Sequence, residues 1–151
     1  MDDRPRQIVG KEVKFSKEAR ELELSKAARL LELGRIEHEQ GRYLDAQRCF
    51  EAGLELSRRH GDQSGEAKAL GNLGTLFQDQ GQVDRGIEHL QQAIDAHRAI
   101  GDRRGEGNFI GNLGLLYGEQ GQVKQAIEHI SRALVIAREV GDRRGSSLDQ
   151  L

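Results

Sequence analysis

Apolar residues recur along most of this chain at helical spacing, and glycines interrupt them at regular points. Leu70, Leu73, Gly74 and Phe77 fall at i, i+3, i+4 and i+7, which is one face of a helix. After Gly81 the same rule resumes with Val83, Gly86, Ile87, Leu90, Ala93 and Ile94, and it breaks again at Gly101. Glycine suits a helix C-terminus because it accepts positive φ, so each break reads as the end of one helix and the start of the next.

The pattern repeats. Gly61-Asp62, Gly101-Asp102 and Gly141-Asp142 are spaced by 40 residues, and Gly71-Asn72-Leu73-Gly74 returns as Gly111-Asn112-Leu113-Gly114. A weaker copy lies upstream, with Leu33-Gly34, Gln40-Gly41, Tyr43, Ala46 and Phe50 in the corresponding places. Each unit is a pair of helices too small to bury its apolar face alone, so the units stack. The sequence therefore predicts an all-α solenoid of antiparallel helix pairs over 16–140, in units of about 16–60, 61–100 and 101–140. Residues 1–15, with Ile8, Val9, Val13 and Phe15 in no clear register, read as a flexible or loosely docked lead-in. Residues 141–151 begin a fourth unit that is truncated, or form a tail. With no glycine or proline between Ser16 and Gly34, the first helix should run longer than its counterparts.

Two units resemble the tetratricopeptide repeat, whose signature is a leucine-glycine pair with an aromatic three residues on, then small, large and small residues in the second helix. Leu73-Gly74, Phe77, Gly86, Leu90 and Ala93 match it, as do Leu113-Gly114, Tyr117, Ala126, Ile130 and Ala133. The period is 40 instead of 34, and Gly-Asp replaces the usual closing proline. That resembles the long-repeat type of polarity adaptors, kinesin light chains and bacterial regulators. HEAT and armadillo arrays have a similar period. The mid-helix glycines Gly74 and Gly114 favour the tetratricopeptide, since each costs about 1 kcal/mol relative to alanine and makes sense where helices cross closely.

The resemblance implies a right-handed solenoid whose first helices line a concave groove for a protein or peptide ligand. An asparagine before the leucine-glycine pair bonds the ligand backbone in this family, which points to Asn72 and Asn112; an amide can both donate to and accept from a peptide group. Bonding between neighbouring helices is the plainer use for the same residues. Arg35, His38, Lys68, Thr75, Gln78, Asn108, Leu115 and Glu119 would share the groove, with Gly71 and Gly111 letting a ligand approach the helix. The family's clamp for chaperone carboxylates is not matched: Asn72 fits, but Leu31, Arg35, Asn108 and Asn112 stand where lysine, asparagine, lysine and arginine are required.

Composition narrows the function further. A net charge of -2 with 4% aromatics and no tryptophan disfavours nucleic acid, whose binders concentrate basic charge and stacking rings. The charged share of 32% and mean hydropathy of -0.69 call for a thin, elongated core. No run approaches the ~18 apolar residues of a membrane span, and the acidic start lacks the layout of a secretory signal, so a soluble, cytoplasmic chain is expected. A single cysteine, Cys49, cannot form a disulfide within one chain.

Candidate chemistry is sparse. Gly105, Gly107 and Gly111 have the wrong spacing for a dinucleotide loop, and no Gly-Lys-Ser/Thr follows. His89 and His129 share a repeat position but lie off the apolar stripe and too far apart for one small ion, so solvated faces are expected and no metal or cofactor. No catalytic constellation stands out, so the chain reads as a non-enzyme. Arg103-Arg104 precede a helix start, where the dipole favours acids; ion pairs with Asp102 or Glu106 are the simplest account, an acidic ligand the other. The apolar side of the third pair, including Ile130, Leu134 and Val140, would be covered by more of a longer array or by another copy in a homo-oligomer.

Overall fold

A computed structural model describes residues 6–9 and 12–149, and side chains within 16–141. It shows the paired helices: α1 (Lys17–Glu39), α2 (Tyr43–Arg59), α3 (Gln63–Asp79), α4 (Val83–Ala99), α5 (Arg103–Glu119) and α6 (Val123–Asp149). The helices α2 to α5 are each 17 residues, whereas α1 has 23, so the longer first helix is present.

Glycine sets the joints. Gly41, Gly61, Gly81, Gly101 and Gly121 all have φ between 67° and 78°. At the α3–α4 turn the Gly81 N–H donates to Gln78 O (3.0 Å) and the Gln82 N–H reaches Phe77 O (2.9 Å), the two bonds of a Schellman stop that needs a left-handed residue between them. Asp62 and Asp102 then cap α3 and α5, accepting from the amides of Gly65 (3.2 Å) and Gly105 (2.9 Å). At these two joints the stop and start signals sit in adjacent residues, Gly61-Asp62 and Gly101-Asp102.

Each helix packs against the next, and α1 also touches α3 while α3 touches α5. Two apolar clusters result, one centred on Phe50, Leu73, Leu76 and Phe77, the other on Leu90, Ile110, Leu113 and Leu116. The close crossings anticipated at the mid-helix glycines are real. A Cβ on Gly74 would lie 2.8 Å from Leu90 Cδ2, and one on Gly114 would lie 2.9 Å from Ile130 Cγ1.

One expectation needs correction. Residues within the supposed flexible lead-in form an antiparallel hairpin, β1 (Arg6–Val9) with β2 (Glu12–Phe15), in which Ile8 pairs with Val13 and Val9 with Glu12. Gly10-Lys11 between two short β-prone runs is a hairpin signal that helical periodicity cannot detect. At the other end α6 continues through Gly141 to Asp149, so residues 141–149 extend the last helix. Among the described residues no helix is long and apolar enough to cross a membrane.

Candidate functional site

The forty-residue register puts corresponding side chains of α1, α3 and α5 in rows. One row holds Ala28, Lys68 and Asn108, another Glu32, Asn72 and Asn112, a third Arg35, Thr75 and Leu115. A cavity of about 450 Å3 opens between α1 and α3, walled by Leu31, Arg35, Lys68, Asn72 and the ring of Phe109. A second of about 680 Å3 lies between α5 and α6 and takes in Asn108, Asn112 and Leu115. The structure thus gathers six of the ten expected groove residues, but into two hollows instead of one trough.

The other four have different surroundings. His38 Nε2 lies 2.6 Å from Asp79 Oδ2 and its ring meets Tyr43 edge-on, tying α1 to the end of α3. Thr75 Oγ1 donates back to Gly71 O (3.1 Å). Gln78 is half-buried beside Gly86, and Glu119 is exposed with no ion pair among the described residues. Neither cavity is lined by any of these four.

The two asparagines are half-exposed, and among the described residues neither side chain makes a hydrogen bond. Helix-to-helix bonding, the plainer use for them, is therefore not what occupies them. Lys68 is exposed one turn before Asn72 and forms no ion pair among the described residues, whereas Arg35 is held by Glu32 at 2.9 Å. Asp62 also lines this hollow without an ion pair among the described residues, so its formal charges balance, Arg35 and Lys68 against Glu32 and Asp62.

Gly71 is not an opening for a ligand. It is buried, and the Phe109 ring occupies the place of its missing side chain. Phe109 also stacks on His97 (centroids 5.2 Å apart, planes at 28°). His97 is only 5% exposed, and its Nδ1 lies 3.0 Å from Asp102 Oδ2. The Gly105 amide, with help from His97, holds the Asp102 carboxyl below the usual range, so Asp102 accepts and Nδ1 donates. Glu106, 4% exposed, is a second feature that sequence reasoning passed over. Burial pushes its carboxyl up, but bonds from Arg98 (2.8 Å) and Arg103 (3.2 Å) outweigh that and leave it lowered. Arg103 also reaches Glu139 at 3.0 Å. Arg103, the first residue of α5, thus pairs with Glu106 as expected and with Glu139 in addition.

His89 and His129 are not simply solvated. Each packs against the first-helix aromatic of its unit, Phe77 at 5.0 Å and Tyr117 at 5.1 Å, with its ring nitrogen bonded to the carbonyl four residues back. Among the described residues no cluster of potential metal ligands occurs. Cys49 is part-buried, which raises its thiol pKa.

The close crossings, the Schellman joints and the inner rows define a tetratricopeptide array. The tetratricopeptide repeat family model matches residues 26–99 and 65–139, and the chain belongs to that family. Among curated proteins none matches. Solved structures with the same fold include aspartyl phosphate phosphatase F from Bacillus subtilis (20% identity, TM-score 0.76, 79% of this chain and 31% of that one). BtubC (BKLC) from P. vanneervenii is similar at 22% identity and TM-score 0.72, covering 80% of this chain and 51% of that one. The TPR domain of Arabidopsis FLU aligns over 80% of this chain and 98% of its own length, at 21% identity and TM-score 0.71. The match thus spans about a third of the first of these relatives and half of the second.

Proposed function

We propose that the chain is a protein-interaction module that holds a segment of another protein along the inner side of α1, α3 and α5, without transforming it. The observation that carries this reading is the pair of half-exposed amides, Asn72 and Asn112, repeated at one position of a tetratricopeptide array and engaged by no other side chain or backbone group among the described residues. An amide facing a peptide group offers one donor and one acceptor at once, so two amides one repeat apart can hold an extended or helical backbone at two points.

The test replaces both asparagines with alanine. Partners captured by the wild-type chain are identified, and binding of each purified partner is then titrated against the variant. A loss of binding of about tenfold or more, with unchanged assembly by sedimentation, fits the proposal, since each lost hydrogen bond is worth ~0.5–1.5 kcal/mol. The competing role is structural, with copies stacking into an oligomer. It requires the double variant to lose assembly instead.

A further inference from the structure

The face formed by α5 and α6 repeats, position for position, a surface that is already an interface inside the molecule. On α4, Leu90 and Ile94 are buried against α5, and Arg98 closes the contact with an ion pair to Glu106. The same arginine-to-glutamate bridge joins α2 to α3, from Arg58 to Glu66 at 3.1 Å. Forty residues on, α6 carries Ile130, Leu134 and Arg138. Yet Leu134 is 54% exposed where Ile94 is 2%, and Arg138 has no ion pair among the described residues. The notch is repeated too. Gly71 is filled by the Phe109 ring, whereas a Cβ on Gly111 would meet nothing closer than Ala133 Cβ at 3.5 Å, at the wall of the 680 Å3 cavity.

We propose that this face docks an amphipathic helix of a separate polypeptide, one that presents an acidic residue to Arg138 and, three residues on, an aromatic side chain to the notch at Gly111. Glu106, Phe109, Ile110 and Leu113 of α5 are the internal template for that helix. Two other occupants fit poorly. If residues 143–151 were the next first helix, Ser146, Asp149 and Gln150 would stand where Glu106, Phe109 and Ile110 do, with no acid at the Glu106 place and a carboxylate instead of a ring at the notch. A second copy stacking through α1 would bring Lys26 against Arg138 and Arg29 against the notch. Like charges and a cation in an apolar hollow oppose that contact.

The probe is a fluorescein-labelled synthetic peptide with the sequence of residues 102–119, titrated by anisotropy against the full chain. Saturable binding is expected. Gly111→Leu, which installs the residue present at Leu31 in the first unit, should weaken it at least tenfold by filling the notch. Arg138→Glu should weaken it two- to fivefold, the size of an exposed ion pair, and a peptide with lysine in place of Glu106 should recover that loss. If Gly111→Leu does not fold by circular dichroism, the Arg138→Glu pair of measurements decides alone. The proposal is overturned if the peptide does not bind, if it binds the variants unchanged, as a peptide displacing α5 would, or if sedimentation shows the chain covering this face with its own copies.

Discussion

Alanine substitutions at Gly111 and Gly114 isolate the close helix crossing on which the fold depends. Both residues lie within α5, three positions apart, so both changes gain the same helix propensity, about 0.8–1 kcal/mol. Their surroundings differ. At Gly111 the new methyl would meet only Ala133 Cβ, at an ordinary 3.5 Å. At Gly114 it would lie 2.9 Å from Ile130 Cγ1, 3.1 Å from His129 Cβ and 3.2 Å from the backbone nitrogen of Ile130. A side chain can rotate away, but a helix backbone can only retreat as a body, and overpacking of this kind costs about 1–3 kcal/mol. Gly111→Ala should therefore stabilise by up to about 1 kcal/mol, and Gly114→Ala should lie roughly 1–3 kcal/mol below it. The propensity gain cancels in that difference. Urea unfolding followed by circular dichroism measures it directly, and melting points should separate by about 2–4 °C per kcal/mol. If Gly114→Ala matched or exceeded Gly111→Ala, α5 and α6 would not be in contact there.

Other consequences follow from the buried charges and the caps. Glu106→Gln should destabilise by roughly 1–3 kcal/mol in urea titrations, because Arg98 and Arg103 lose their carboxylate. The folded carboxyl of Glu106 is lowered, so its contribution is complete above the unfolded value near 4.3 and disappears as the pH falls through the folded value. The wild type should lose more stability than Glu106→Gln in that acid range, and parallel curves would contradict the pairing. Asp102→Ala should cost about 1 kcal/mol or somewhat more as a lost cap, and more than Asp62→Ala, because Asp102 also receives His97. Equal costs would show that the His97 contact contributes nothing.

The repeat was legible because period and break are local facts. Gly81 and Gly101 mark where α3 and α4 end to within a few residues, and Leu73-Gly74 with Leu90 marks where the pair crosses. What the sequence hid was compensation between units. Large Leu31 of the first unit goes with small Ala69 of the second, whereas small Gly71 of the second goes with large Phe109 of the third. Within one unit Gly71 therefore looked like an opening, and only the neighbouring helix shows that it is filled. His97 and Glu106 were missed for a related reason. Ser57 and Glu66 stand at the corresponding or near-corresponding places, and polar residues there resemble surface until the next helix covers them. The hairpin lies outside the repeat, where the forty-residue register carries no information, and at the continuation of α6 a repeated Gly-Asp pair does not stop the helix.

The most direct test of the central claim is amide exchange or chemical-shift mapping of the chain with a captured partner bound. Protection should fall on α1, α3 and α5 around Lys68, Asn72 and Asn112, with the outward positions of α2 and α4 unchanged. A footprint on α2 and α4 that leaves those three residues untouched would contradict it.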